Sequence, residues 1–98
     1  MTLILHTLNA SPSSPAFSDC LKVLASGDAV LLMGDGVYAA IEQSEACNLL
    51  LATGAALHVL SADAAAAGVN ELPHVVSSID MDGFVVLSER FPRQQAWY

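Results

Sequence analysis

Ninety-eight residues, 54% of them hydrophobic, make one small domain with more apolar side chains than a chain of this size readily buries, which points to a subunit of an oligomer or larger complex. Three Lys and Arg against ten Asp and Glu leave a formal charge of −7. That balance argues against direct nucleic-acid binding and against an anionic membrane surface, and it favours basic protein partners.

No segment approaches the ~18 apolar residues of a membrane span, and the start Met-Thr-Leu-Ile-Leu-His lacks the basic region of a secretory signal. Cys20 and Cys47 have no CxxC spacing, which predicts reduced thiols in a cytoplasmic protein.

Thr2–Leu8, rich in Leu and Ile, reads as a first strand, buried and central. The loop Asn9-Ala-Ser-Pro-Ser-Ser-Pro15 follows, and Ser13 or Ser14 caps a helix with Pro15 near its first position. Phe17, Cys20, Leu21 and Leu24, at i, i+3, i+4 and i+7, form its apolar face, and Ser26-Gly27-Asp28 ends it.

Ala29–Met33 is an unbroken apolar run, the signature of a strand buried on both faces of a parallel sheet. Gly34 and Gly36 permit a tight turn, Asp35 or Gly36 caps a helix starting near Val37, and Val37, Ala40 and Ile41 face inward. Gln43–Glu45 reads as a break and Ala46–Ala52 as a short helix closed by Gly54. Ala56–Leu60 is a third strand, Ala62–Ala67 a short helix ending at Gly68, and Val75–Ile79 a fourth strand. Asp80–Arg90 is a last helix with Phe84, Leu87 and Phe91 on one side, and Pro92 stops it, leaving a tail to Trp97 and Tyr98.

Strand starts near Thr2, Ala29 and Ala56 are evenly spaced, as repeated βα units require. The pattern predicts one α/β domain over residues 1–98. It is a small three-layer α/β/α arrangement with a mainly parallel sheet of about four strands, right-handed crossovers and helices on both faces. Function in such a fold belongs at the carboxyl ends of the strands.

The residues offer little catalytic chemistry. GxGxxG and GxxxxGK[ST] are absent, and Asp35 puts a negative charge where a phosphate would sit, so Gly34-Asp35-Gly36 reads as a turn. His6, His58 and His74 show no ligand spacing and read as core or rim histidines, so no metal is expected. Asp35, Asp63, Asp80 and Asp82 fall in strand-end loops, an acidic rim. Neither a Ser-His-Asp order nor a GxSxG elbow occurs, and no cofactor is expected. Cys47 beside Leu49–Leu51 is a small hydrophobe. Cys20 has Asp19 raising its pKa and Lys22 lowering it, so local sequence shows no activation and the residue reads as structural.

Leu5-His-Thr-Leu-Asn-Ala-Ser-Pro12, Cys20-Leu-Lys22 and Leu31–Ala40 with Gly34-Asp-Gly-Val37 together resemble the DsrH/TusB family. So do Val59-Leu60, Asp63, Gly68, Asp82-Gly-Phe-Val85 and Gln95-Ala-Trp97, and the resemblance covers nearly the whole chain. It implies a DsrEFH-like fold and a place in a heterohexamer with TusC/DsrF-like and TusD/DsrE-like subunits, two copies of each. Such complexes pass a cysteine persulfide from an upstream carrier to a TusE/DsrC-like acceptor. The sulfur ends in 2-thiouridine at the tRNA wobble position in the Tus branch, and the Dsr branch serves dissimilatory sulfur oxidation.

The principal sulfur-accepting cysteine belongs to the DsrE/TusD partner, so this subunit is expected to have no independent enzyme activity. Cys20 matches a cysteine of DsrH-type members, which makes it a candidate persulfide site beside its structural reading. Ser11, Pro12, Asp35 and Trp97 are candidate interface residues. The rival readings are a stand-alone flavodoxin-like small-molecule binder and a sulfurtransferase with Cys20 as nucleophile.

Overall fold

A computed structural model describes residues 3–98, so Thr2 of the expected first strand lies outside the described residues. The strands are β1 (Ile4–Leu8), β2 (Ala29–Leu32), β3 (Ala56–Leu60), β4 (Val76–Ile79) and β5 (Arg93–Trp97). The helices are α1 (Pro15–Val23), α2 (Glu45–Ala52), α3 (Ser61–Ala66) and α4 (Met81–Arg90), with a 3₁₀ segment over Gly34–Ala40.

The sheet order is β4-β3-β2-β1-β5, and every neighbouring pair is parallel. Successive crossovers carry the chain from β1 to β4 in one direction, then α4 returns it to the far side of β1. The helices are therefore shared unequally. Residues of α1, the 3₁₀ segment, α2 and α3 pack with Leu8, Val30, Leu32, Leu57 and Val59 on one face. On the other face Phe84 and Leu87 of α4, with Phe91, cover Leu5, Ala29, Leu31 and Leu60. All of β2 is buried, as its uninterrupted apolar run demands.

Of Ser13 and Ser14 it is Ser14 that caps α1, and the structure adds Ser44 and Asp80 as caps of α2 and α4. Ser14 accepts from the Phe17 N–H at 3.4 Å with Pro15 in the first turn, Ser44 accepts from Cys47 N–H at 3.1 Å, and Asp80 accepts from Gly83 N–H at 2.8 Å.

The tail after Pro92 corrects the expectation of about four strands: it is a fifth strand, β5, paired with β1 from Ile4↔Arg93 to Leu8↔Trp97. Arg93, Gln94, Gln95 and Ala96 are all exposed, so no apolar alternation announces it; the ladder to β1 makes the strand. The segment after β2 also differs. Instead of an α-helix starting near Val37, a 3₁₀ turn begins at Gly34, and its three-residue repeat turns Val37 and Ala40 inward while Ile41 lies exposed past its end. Neither Asp35 nor Gly36 caps it. The Asp63 carboxylate of α3 accepts from Gly34 N–H at 2.8 Å.

Candidate functional site

Cys20 is fully buried on α1 in the larger core cluster, beside Phe17 and facing the sheet. Burial pushes its thiol up to about 12, so at neutral pH it is an uncharged thiol with no exposed sulfur. Cys47 on α2 is also buried and free, and its thiol is raised by burial and then by the Glu42 carboxylate. In this conformation neither sulfur can meet a persulfide donor in solution.

The four candidate interface residues fall at the carboxyl ends of the strands without converging on one point. Ser11 and Pro12, half-buried in the loop after β1, lead into α1; the Ser11 hydroxyl lies 3.1 Å from that of Ser13 and its carbonyl accepts from Ser14 N–H at 3.0 Å. Asp35 is exposed in the 3₁₀ segment and lines a cleft of about 250 Å³ with Gly34, Tyr38 and Asp63. Asp80 and Asp82 line a separate cleft with Leu60 and Met81, so the acidic rim read from the sequence runs along the tops of β2, β3 and β4.

Trp97 has its polar end turned inward. Its indole N–H donates to His6 Nδ1 at 3.1 Å, and the two rings stack with centroids 6.3 Å apart. An indole nitrogen only donates, so His6 Nδ1 is an acceptor and the ring's proton sits on Nε2, which donates to Asp28 Oδ2 at 3.1 Å. Asp28 also accepts from Ile4 N–H at 3.0 Å and from Ala25 N–H at 3.1 Å. Burial alone would push this carboxyl up, but the bonds from Ile4, Ala25 and His6 outweigh it and hold Asp28 below its usual 3.8. The network ties the starts of β1 and β2 to the end of β5.

Of the core or rim reading given to the histidines, His6 takes the core one with both ring nitrogens bonded, whereas Asp28 reads from the sequence only as part of a helix-ending turn. Its position directly before a fully apolar strand was the available signal, since the carboxylate there enters the core and needs partners. His58 on β3 is half-buried, and burial followed by the Arg90 charge lowers its pKa. Among the described residues no group of three His, Cys, Asp or Glu could hold a metal ion, and no helix is long and apolar enough to cross a membrane.

The model of the family described as DsrH like protein matches residues 10–94. The chain is 38% identical over 95 residues to Protein TusB of Pectobacterium parmentieri and of Erwinia tasmaniensis, covering 96% of this chain and all of each relative. Protein TusB of Photorhabdus laumondii is 37% identical with the same coverage. In fold the chain resembles the crystal structure of ychN protein from E. coli, with a TM-score of 0.71 at 14% identity, over 98% of this chain and 99% of that one. Family model, curated relatives and fold agree over nearly the full length, and the chain belongs to the DsrH/TusB family.

Proposed function

We propose that this chain is a subunit of a cytoplasmic sulfur-relay heterohexamer, assembled with TusC/DsrF-like and TusD/DsrE-like partners. The complex passes persulfide sulfur to a TusE/DsrC-like acceptor for 2-thiolation of the tRNA wobble uridine. The full-length match to proteins named TusB carries this reading.

Two physical features support it. Met81, Val85 and Val86 form an exposed apolar row on α4, the one helix on its face of the sheet among the described residues, and such a row suits a surface covered by another subunit. The buried, protonated Cys20 suits a subunit that completes the complex while a partner's cysteine carries the sulfur. Cys20 is then a packing residue of α1, and the DsrH-type sulfur-oxidation branch is the second reading, favoured only by the presence of that cysteine.

Expressed with its own partner subunits in a host lacking TusB, the chain is expected to restore 2-thiouridine, measured by mass spectrometry of digested tRNA. Cys20→Ser should restore it to the same level. Absence of the thiolated nucleoside beside an assembled complex would overturn the tRNA assignment and favour the sulfur-oxidation branch.

A further inference from the structure

Charge is segregated along the strand axis. Lys22 and Arg90 lie in the last turns of α1 and α4, and Arg93 opens β5, so all three Lys and Arg side chains sit where the parallel strands begin. The opposite end carries Asp35, Glu42, Glu45, Asp63, Asp80 and Asp82 in strand-end loops and first helical turns. Large apolar side chains emerge in the middle of this cation-free end. Tyr38 and Ile41 are 42% and 45% exposed. They form one wall of a cleft of about 680 Å³ whose other wall is the loop after α3, with Val69 in its floor and Glu42 and Glu71 beside it. Tyr38 also borders a second cleft of about 450 Å³ between α1 and α2, where Leu49 is exposed.

We propose that the cleft between Tyr38–Ile41 and the loop after α3 docks a cationic segment of a partner protein, which sets an apolar side chain against Tyr38 and Ile41 and Lys or Arg against Glu42 and Glu71. An aromatic and an aliphatic anchor inside a charged rim is the anatomy of a protein-binding spot, and the Tyr38 ring adds attraction for a cation. The surrounding charge selects the occupant: polyanions and acidic segments are repelled, and a basic one is steered in. A second copy is a poor occupant. Each copy carries a formal charge of −7, with ten Asp and Glu against three Lys and Arg, so two copies repel each other and neither supplies a cationic segment.

This extends the relay reading by naming the chemistry of a partner, and its test needs no assembled complex, so either can fail while the other stands. The probe is a short fluorescein-labelled peptide alternating Lys with Leu, titrated with the full chain and followed by anisotropy at low and physiological salt. The peptide should bind, weaken as salt rises, and lose binding when Glu replaces its Lys. Tyr38→Ala and the double variant Glu42→Lys/Glu71→Lys should each weaken binding by about tenfold or more. The charge-matched variant Asp19→Lys/Glu89→Lys, on exposed positions away from the cleft, should change it by less than about threefold. Equal losses in the two double variants would reduce the effect to net charge and overturn the proposal. So would an unaffected Tyr38→Ala, failure of the wild-type chain to bind the peptide, or sedimentation showing a second copy in the cleft.

Discussion

Asp28→Ala is expected to cost about 3–5 kcal/mol of folding stability, a large share of the ~5–15 kcal/mol that holds a domain of this size. The Asp28 side chain is 3% exposed, and its carboxylate accepts hydrogen bonds from Ile4 N–H, Ala25 N–H and His6 Nε2. Removing it strands the buried His6 Nε2–H and leaves the part-buried N–H groups of Ile4 and Ala25 without their acceptor, and each unmet donor carries a desolvation cost that grows with its burial. It also frees His6 to turn, which loosens the Trp97 indole and the end of the edge strand β5.

Asp28→Asn should cost less, because its amide oxygen still accepts. The pH dependence follows from the depressed carboxyl: its contribution is fully present above the unfolded-state value of about 3.8 and is lost as pH falls through the lower folded value. Stability in the native chain should thus fall with acidification below about pH 4, and this component should vanish in Asp28→Asn. Urea unfolding followed by fluorescence of Trp97, the single tryptophan, measures both effects. Unchanged stability in Asp28→Ala would mean that the network is not formed.

Gly36→Ala carries the other large effect, for reasons of space. A Cβ at Gly36 would overlap the Leu8 carbonyl oxygen, which accepts from Met33 N–H at 3.1 Å. Backbone meets backbone there, so no side-chain rotation relieves it, and the ends of β1 and β2 must part. A loss of about 1–3 kcal/mol or more is expected, corresponding to a fall of roughly 4–8 °C in Tm per kcal/mol. Gly68→Ala is the control. Its φ of +77° strains any other residue, but nothing lies within 4 Å of an added Cβ, so only the ~1–2 kcal/mol conformational cost applies. Thermal melts followed by circular dichroism should rank Gly36→Ala at or below Gly68→Ala; the reverse order would show that the two strand ends can separate freely.

Much of the fold was legible because local chemistry and final packing agree. The apolar run of β2 predicted burial on both faces, and Ser14-Pro15 marked a helix start that forms as expected. Residues whose structure comes from distant partners were not legible. Gln94 and Gln95 belong to a strand only because β1 lies beside them, and Gly34 is capped by Asp63 from another βα unit.

The candidate site divides the same way. The acidic rim could be read from strand ends, and the apolar face of α1 foretold that Cys20 points inward. The apolar anchors Tyr38 and Ile41 at the rim could not be read, since a 3₁₀ segment and an α-helix turn the same residues to different sides.

Native mass spectrometry of this chain co-expressed with TusC/DsrF-like and TusD/DsrE-like partners tests its membership of a sulfur-relay complex most directly. The expected result is a mass corresponding to two copies of each subunit, with this chain free of the ~32 Da that a persulfide sulfur would add, because Cys20 is sealed in the core. A chain that stays alone beside its partners would contradict that membership, and an adduct lost in Cys20→Ser would contradict the packing role given to that cysteine.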